Sequence, residues 1–345
     1  MNKSSIIVLT GATGFLGNHL LAALLAKGYE VVAVKRSFSD TSKIKEVLDH
    51  EKLHFFDIDL EDPRKLFEKY SVDTIIHTAT EYGRGDAPVF RILEANLILP
   101  LRLAELGIEN GARCFINTDS YFNKSSSTYS NLLNYSLSKK SLLIWLRQLS
   151  SRIKVINIML EHIYGPGDSR SKFVEDLIQQ IALDRVDRVH LTHGHQKRDF
   201  VYIDDVVQAF ITLTEYGSTH EFTFKNFEVG TGKSVQLRDF VQMVKHLTRS
   251  ATVLGFGDIE YRSDEIMDSK ADISALTELG WQDAIRRMTF QGLANMSSMP
   301  SSTLWVLATR HRRWRWAIRF LKSRCALMSW CWIICICTQL AATYF

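Results

Sequence analysis

The chain has little cysteine where a covalent scaffold would need it. Of its five cysteines only Cys114 lies in the first 282 residues, while Cys325, Cys331, Cys335 and Cys337 crowd the end. One cysteine on an apolar strand excludes a disulfide framework and a thiolate metal cage from the body, and fits a reducing, cytoplasmic setting. No apolar h-region follows Met1 to Ser5, so no secretory signal is expected. There is no internal repeat and no low-complexity linker. The body also lacks a basic excess. Residues 1–282 hold 33 of the 42 Lys and Arg but 37 of the 38 Asp and Glu, a net charge of −4, against +8 for 283–345. An acidic surface repels phosphates, so no nucleic-acid partner is expected. His190, His193 and His195 lie close together without a carboxylate or thiol at ligand spacing, and no metal is expected.

What the sequence does have is the stretch Ile7-Val8-Leu9-Thr10-Gly11-Ala12-Thr13-Gly14-Phe15-Leu16-Gly17. An apolar strand runs into three glycines spaced three apart, and these open a segment with Leu20, Leu21, Leu24 and Leu25 on one face. Gly11 permits a tight turn, Gly14 lets backbone approach a pyrophosphate, and Gly17 lets the helix sit close on the strand. The helix N-terminus then points its N–H groups at the phosphates. Strand and helix patterns alternate from there through Leu160. That alternation predicts an α/β fold, a Rossmann doubly wound parallel sheet with a smaller C-terminal substrate-binding lobe. The expected elements include a polar helical stretch after the strand at 30–34, strands at 53–56, 74–79, 113–117 and 154–160, and helices over 63–70, 89–110 and 131–149. Expected boundaries are 1–164 for the dinucleotide domain, with 191–219 returning to it, and 165–190 plus 220–282 for the lobe. Gly232-Lys233-Ser234 ends like a P-loop, but Phe227 stands where its first glycine belongs.

The end of the second strand chooses the cofactor. An NAD site puts an acid there for the ribose 2′-hydroxyl, whereas this strand ends Lys35-Arg36-Ser37. Two cations would neutralise a 2′-phosphate, and Arg36 could also stack on the adenine. NADPH is expected, with NADH the alternative. Tyr135 and Lys139 lie at i and i+4, one turn apart on one helix face. A neighbouring ammonium is expected to lower the Tyr135 pKa and let it exchange a proton with a carbonyl or hydroxyl. Lys139 would also hold the nicotinamide ribose. The partner hydroxyl should close the fifth strand, with Ser120 first and Thr118 second.

Together Thr10 to Gly17, Tyr135-x-x-x-Lys139, Tyr164 to Asp168 and Arg198 to Val206 resemble the extended short-chain dehydrogenase/reductase family of nucleotide-sugar enzymes. Ala79 to Gly83, Asn117 to Ser120, Leu160 to Gly165 and Glu265 to Met267 resemble its CDP-abequose and CDP-paratose synthase branch, over roughly residues 5–281. The resemblance implies reduction of carbon 4 of a nucleotide-linked 4-keto-6-deoxyhexose for a bacterial surface polysaccharide, by a homodimer. It implies a catalytic set of Ser120, Tyr135 and Lys139, and a cofactor site of Gly11, Thr13, Gly14, Phe15, Leu16, Gly17, Lys35, Arg36, Asp59, Leu60 and Ala79. Thr118, Glu161, His162, Arg198 and Arg262 fall on its substrate side, with pairing to Asp199 or Asp204 the alternative for Arg198. The related dehydratases carry Asp-Glu directly after the hydroxyl residue; here Tyr121-Phe122 follow Ser120, and in the register Thr118-Asp119-Ser120 the Glu is still missing, so dehydration is disfavoured either way. A carbon-4 epimerase and a non-catalytic NADP-binding regulatory or scaffold protein remain the other readings.

After Trp281 the family pattern stops. Arg310-His311-Arg312-Arg313-Trp314-Arg315-Trp316 precedes 21 residues, 325–345, without a charge. That length meets the span of a bilayer, so membrane contact through 310–345 is one expectation, as an anchor or a basic surface helix. A reading-frame change that replaced the C-terminus is the other.

Overall fold

A computed structural model describes residues 6–85, 87–124 and 132–283. The basic and uncharged stretches after Asp283 lie outside the described residues, as does Asn131, the expected first residue of the helix carrying Tyr135. The first half alternates as expected. Strands β1 (Ile6–Thr10), β2 (Glu30–Lys35), β3 (Leu53–Asp57), β4 (Val72–His77), β5 (Cys114–Ser120) and β6 (Lys154–Leu160) are separated by helices α1 (Phe15–Ala26), α2 (Arg64–Lys69), α3 (Val89–Leu93), α4 (Leu99–Glu109) and α5 (Leu133–Leu149). There follow β7 (His162–Tyr164), α6 (Phe173–Ile178), β8 (Arg188–Leu191), β9 (Lys197–Arg198), β10 (Phe200–Tyr202) and α7 (Ile203–Thr219). The described chain closes with β11 (Phe224–Val229), β12 (Val235–Gln236), α8 (Leu237–Thr248), β13 (Val253–Phe256) and α9 (Ser274–Glu278).

Seven parallel strands form one sheet in the order β11-β6-β5-β4-β1-β2-β3. The order reverses between β1 and β4, the switch point where a doubly wound sheet opens a crevice at its carboxyl edge. Both faces are apolar because successive residues serve opposite layers. Ile7, Leu9, Val31 and Ala33 pack with Leu20, Leu24 and Phe210 on one side. Val8, Val32 and Val34 pack with Leu103, Leu142 and Leu146 on the other. Such two-sided burial forces the near-continuous apolar strands of a parallel sheet.

Local chemistry moves three boundaries. The polar stretch after β2 forms only a 3₁₀ turn at Ser42–Ile44. There the Asp40 carboxylate takes the N–H and hydroxyl of Ser42 at 2.9 and 2.8 Å, a local bond that competes with helix. The run from Val89 opens into a π-helical turn at Glu94–Ile98 before α4 resumes. Strand β5 continues past Asn117 to Ser120, paired with Leu160 at the end of β6.

The chain forms two compact units, Met1–Ile163 with Arg198–Ser234 and Asp268–Trp281, and Tyr164–Lys197 with Val235–Met267. Residues 220–234, assigned to the lobe from sequence, therefore belong with the sheet. Phe227 and Val229 of β11 are buried in its core. Residues 191–197 move the other way, Leu191 pairing with Phe256 in the β8–β13 ladder of the second unit. In that unit Arg188 grips Asp258 through two 2.7 Å bonds, and His190 reaches the same carboxylate at 2.7 Å. Among the described residues no group of three metal-ligating side chains forms.

The returning segment 268–281 is fastened to the first unit by buried groups. Asp199 accepts from the Thr231 N–H and hydroxyl at 2.8 and 2.6 Å, and from the Gly232 and Ala271 N–H at 3.0 and 3.1 Å. The Gly232 amide thus serves a carboxylate of the protein itself. The Trp281 indole N–H donates to the Asp205 carbonyl at 3.1 Å. Asp199→Ala strands three backbone N–H donors at once, while the Thr231 hydroxyl keeps the Lys233 carbonyl at 3.1 Å, and is expected to cost about 3 kcal/mol of stability, read as a lowered melting temperature.

Candidate active site

At the crevice, the β1–α1 turn is built around contacts that exclude side chains. Gly11 has φ +73°, and a Cβ on it would stand 2.6 Å from the Ala79 nitrogen. One on Gly17 would stand 2.0 Å from the Gly11 carbonyl oxygen. The N-cap of α1 is Gly14, with no side-chain cap bond and no acid in the first turn. An uncapped helix N-terminus over a side-chain-free cradle fits a dinucleotide pyrophosphate. Thr13 lies within this turn, Phe15 and Leu16 open α1 after it, and Ala79 lies against it, its N–H donating to Thr10 Oγ1 at 3.2 Å.

The basic end of β2 is partly spent inside the protein. Lys35 Nζ lies 2.5 Å from Asp57 Oδ1. Asp59 takes the Ser37 N–H and hydroxyl, each at 2.7 Å, and these bonds hold its carboxyl below the usual range. The Arg36 guanidinium sits 4.8 Å from the Phe38 ring centroid. Leu60 is exposed.

Tyr135, Lys139 and Ser120 come together at the carboxyl end of β5. Tyr135 and Lys139 are buried one turn apart on α5, and the Tyr135 hydroxyl bonds to the Ser120 side chain. Lys139 Nζ donates to the Thr118 carbonyl at 2.7 Å, while the buried Thr118 hydroxyl has no partner among the described residues. The expected lowering of the Tyr135 pKa is not found. Burial pushes the phenol well above its ordinary value, with further upward pushes from Tyr82, Asp119 and Tyr121, against a downward pull from the Ser120 side chain. Burial also lowers Lys139, to about 8, with Asp119 opposing. In this site the ammonium is spent on the Thr118 carbonyl, and desolvation outweighs the attraction that the i, i+4 spacing suggested.

Asp119, which the sequence reading weighed only as half of a dehydratase pair, is a buried carboxyl at the centre of this end of β5. Asn157 Nδ2 donates to its Oδ2 at 3.0 Å, and Asn123 and the Ser120 N–H donate to its Oδ1 at 2.7 and 2.8 Å. Burial raises its pKa, against these bonds and the Lys139 charge. Asn117, Asn157 and Asn226 form a rung across β5, β6 and β11, with two 2.7 Å amide bonds. Next along the sheet, His77 Nδ1 bonds Thr10 Oγ1 at 2.9 Å, and burial drives its pKa far down, so it is neutral. A polar residue inside an apolar stripe was the available signal, as in Val155-Ile156-Asn157-Ile158 or the Ile92-Asn96-Leu103 face.

The substrate-side residues separate. Glu161 is fully buried and spent on internal partners, with Lys124 Nζ at 2.5 Å and the Ser269 hydroxyl at 2.8 and 2.9 Å from its two oxygens. Burial pushes its carboxyl up, but the His162 ring 3.7 Å away and the Lys124 ammonium outweigh that and hold it low. His162 packs against the Tyr121 ring at 4.5 Å. Arg198 is buried in the first unit and Arg262 belongs to the second.

A family model, the NAD dependent epimerase/dehydratase family, matches residues 7–230. The chain is 34% identical over 280 residues to a CDP-abequose synthase of Salmonella muenchen, covering 80% of this chain and 92% of that protein. To a dTDP-4-dehydro-6-deoxyglucose reductase of Escherichia coli it is 23% identical over 303 residues, covering 81% and 93%. A solved UDP-glucose 4-epimerase from Thermotoga maritima with UDP-glucose has the same fold, with a TM-score of 0.68 over 81% of this chain and 94% of that one, at 20% identity.

Lys139 carries a stability cost with a defined pH window. At pH 7 the amine is protonated in both folded and unfolded chains, so the folded state bears the full penalty of burying the charge. Between about 8 and the ordinary lysine value of 10.5 only the unfolded chain keeps the proton, and the penalty disappears as pH rises. Lys139→Met is therefore expected to be more stable at pH 7 by about 2 kcal/mol after loss of the Thr118 bond, read as a higher melting temperature. The gap should close by pH 10; equal melting across the range would contradict it.

Proposed function

Because this chain belongs to the NAD dependent epimerase/dehydratase family and is an NAD(P)-dependent oxidoreductase, we propose that it reduces carbon 4 of a nucleotide-linked 4-keto-6-deoxyhexose with NADPH. The setting of this reading is the cytoplasm and the supply of deoxyhexose for a bacterial O-antigen. Among the described residues no helix is long and apolar enough to cross a membrane. The observation that carries the reading is the meeting of buried Tyr135, Ser120 and Lys139 at the end of β5, with Tyr121-Phe122 after Ser120, or Thr118-Asp119-Ser120 without the Glu, where dehydratases need Asp-Glu. Likeness to CDP-abequose synthases and to a dTDP-4-dehydro-6-deoxyglucose reductase supports the substrate class.

When bound, the nicotinamide cofactor supplies the hydride. The protein's own part is the proton and the orientation. Tyr135 gives its hydroxyl proton to the ketone oxygen, which stays on carbon 4 as the hydroxyl of the product, and Ser120 donates a hydrogen bond that fixes that oxygen. A phenol whose pKa is held high keeps its proton until the carbonyl needs it, which suits net reduction. Lys139, charged below about pH 8, holds the ribose side and offsets the phenolate left behind. With Lys35 committed to Asp57, recognition of a 2′-phosphate falls chiefly on Arg36. That same pair makes the strand end less basic, which is the observation in favour of the carbon-4 epimerase reading.

We further propose a homodimer. Leu133, Leu137 and Ile144 form one exposed apolar stripe along α5, and Phe90 of α3, 80% exposed, adds to the apolar surface of the same unit. A second copy of this chain is the occupant proposed for that stripe. Sedimentation should give twice the chain mass, and Ile144→Glu should halve it.

The test of function is NADPH oxidation by the full chain with CDP- and dTDP-4-keto-6-deoxyglucose. Tyr135→Phe should lose at least about a hundredfold in rate. Arg36→Ala should raise KM for NADPH about tenfold while leaving NADH unchanged. Protein that carries tightly bound NAD and turns over without added NADPH overturns the reductase reading in favour of the epimerase.

A further inference from the structure

Tyr82 takes no part in the proton transfer above, yet its ring lies on that of Tyr135, with centroids 5.1 Å apart and planes 26° from parallel. Tyr82 sits in the loop after β4, and that loop is tied to the helix carrying Tyr135. Asn96, fully buried in the π-helical turn, accepts the Glu81 N–H on Oδ1 and donates from Nδ2 to the Glu81 carbonyl, both at 2.8 Å. The same Nδ2 reaches Ser138 Oγ at 3.0 Å, and the Ser138 hydroxyl donates to the Tyr135 carbonyl at 2.8 Å. A closed circuit results, with two phenol rings in contact at one end and an unbroken hydrogen-bond chain through Asn96 at the other. Beyond Tyr82 the loop is held as well. Gly83 has φ +67° with a Cβ position 2.6 Å from the Ile92 side chain, and Glu81 pairs with Arg91 at 2.9 Å.

We propose that Tyr82 is a positioning residue: its ring, clamped to α5 through Asn96 and Ser138, fixes the Tyr135 phenol so that its hydroxyl stays on Ser120. A Tyr side chain has a soft second torsion, and a hydroxyl at the tip of a ring swings through ångströms for modest rotations. A flat partner held by the same helix removes that freedom before substrate arrives. The inference rests on the assignment of the proton to Tyr135.

The test uses the full chain, NADPH and the 4-keto-6-deoxyglucose nucleotide that supports turnover, with Tyr82→Phe, Tyr82→Leu, Ser138→Ala and Tyr135→Phe. Tyr82→Phe keeps the ring and should hold kcat within about threefold, whereas Tyr82→Leu should lower kcat about thirtyfold with the NADPH Kd unchanged. Ser138→Ala, a small change that cuts the clamp without touching Tyr82, should lower kcat about fivefold and decides the matter if Tyr82→Leu does not fold. The groups facing the Tyr135 phenol are Tyr82, Asp119, Tyr121 and Ser120, with Lys139 one turn on. Wild-type kcat in both Tyr82→Leu and Ser138→Ala overturns the proposal while leaving the function intact. A fully active Tyr135→Phe overturns both.

Discussion

A methyl group has no room between Gly17 and Gly11, and the site depends on that exclusion. With a Cβ position 2.0 Å from the Gly11 carbonyl, helix α1 can seat on the end of β1 only if residue 17 has no side chain. That seating sends the α1 N–H groups to the switch point between β1 and β4 and draws Ala79 in behind them. Any larger residue lifts the helix, and the cradle opens before any catalytic side chain is touched.

Much of this was legible in the sequence because the signals are local. Three glycines at fixed offsets, apolar strands at regular intervals and a Tyr–Lys pair one turn apart each state a short-range geometry. The carboxyl end of β5 was harder. Cys114 to Ser120 reads as strand only until Asn117, since Thr118-Asp119-Ser120 carries turn-forming residues, and pairing with β6 extends it. The β11 segment misled for a related reason. Its Phe-Lys-Asn-Phe-Glu-Val alternation describes an edge strand, but which sheet it joins is a long-range fact.

The electrostatics were least legible. Spacing said that Lys139 and Tyr135 are neighbours, and from that a lowered phenol followed. Spacing carries no burial, and at a site sealed on both sides desolvation sets the sign: the phenol rises and the amine falls. The Lys35-Arg36 pair shows the same limit. Two cations at a strand end look like a phosphate site until Asp57, 22 residues on, arrives beside one of them.

The asparagine rung bears on how the sheet finds its alignment. Val155, Ile156, Ile158, Met159 and Leu160 are buried whichever face they take, so greasy contact alone hardly distinguishes β6 from the same strand slid two residues along β5. A slide of that size would set the Asn157 amide against Phe115, or crowd it onto Asp119, and leave Asn117 and Asn226 without their bonds. Each stranded amide in a dry interior costs on the order of 1–3 kcal/mol. The three asparagines therefore act as a key cut into an otherwise featureless blade, admitting one register and rejecting its near neighbours.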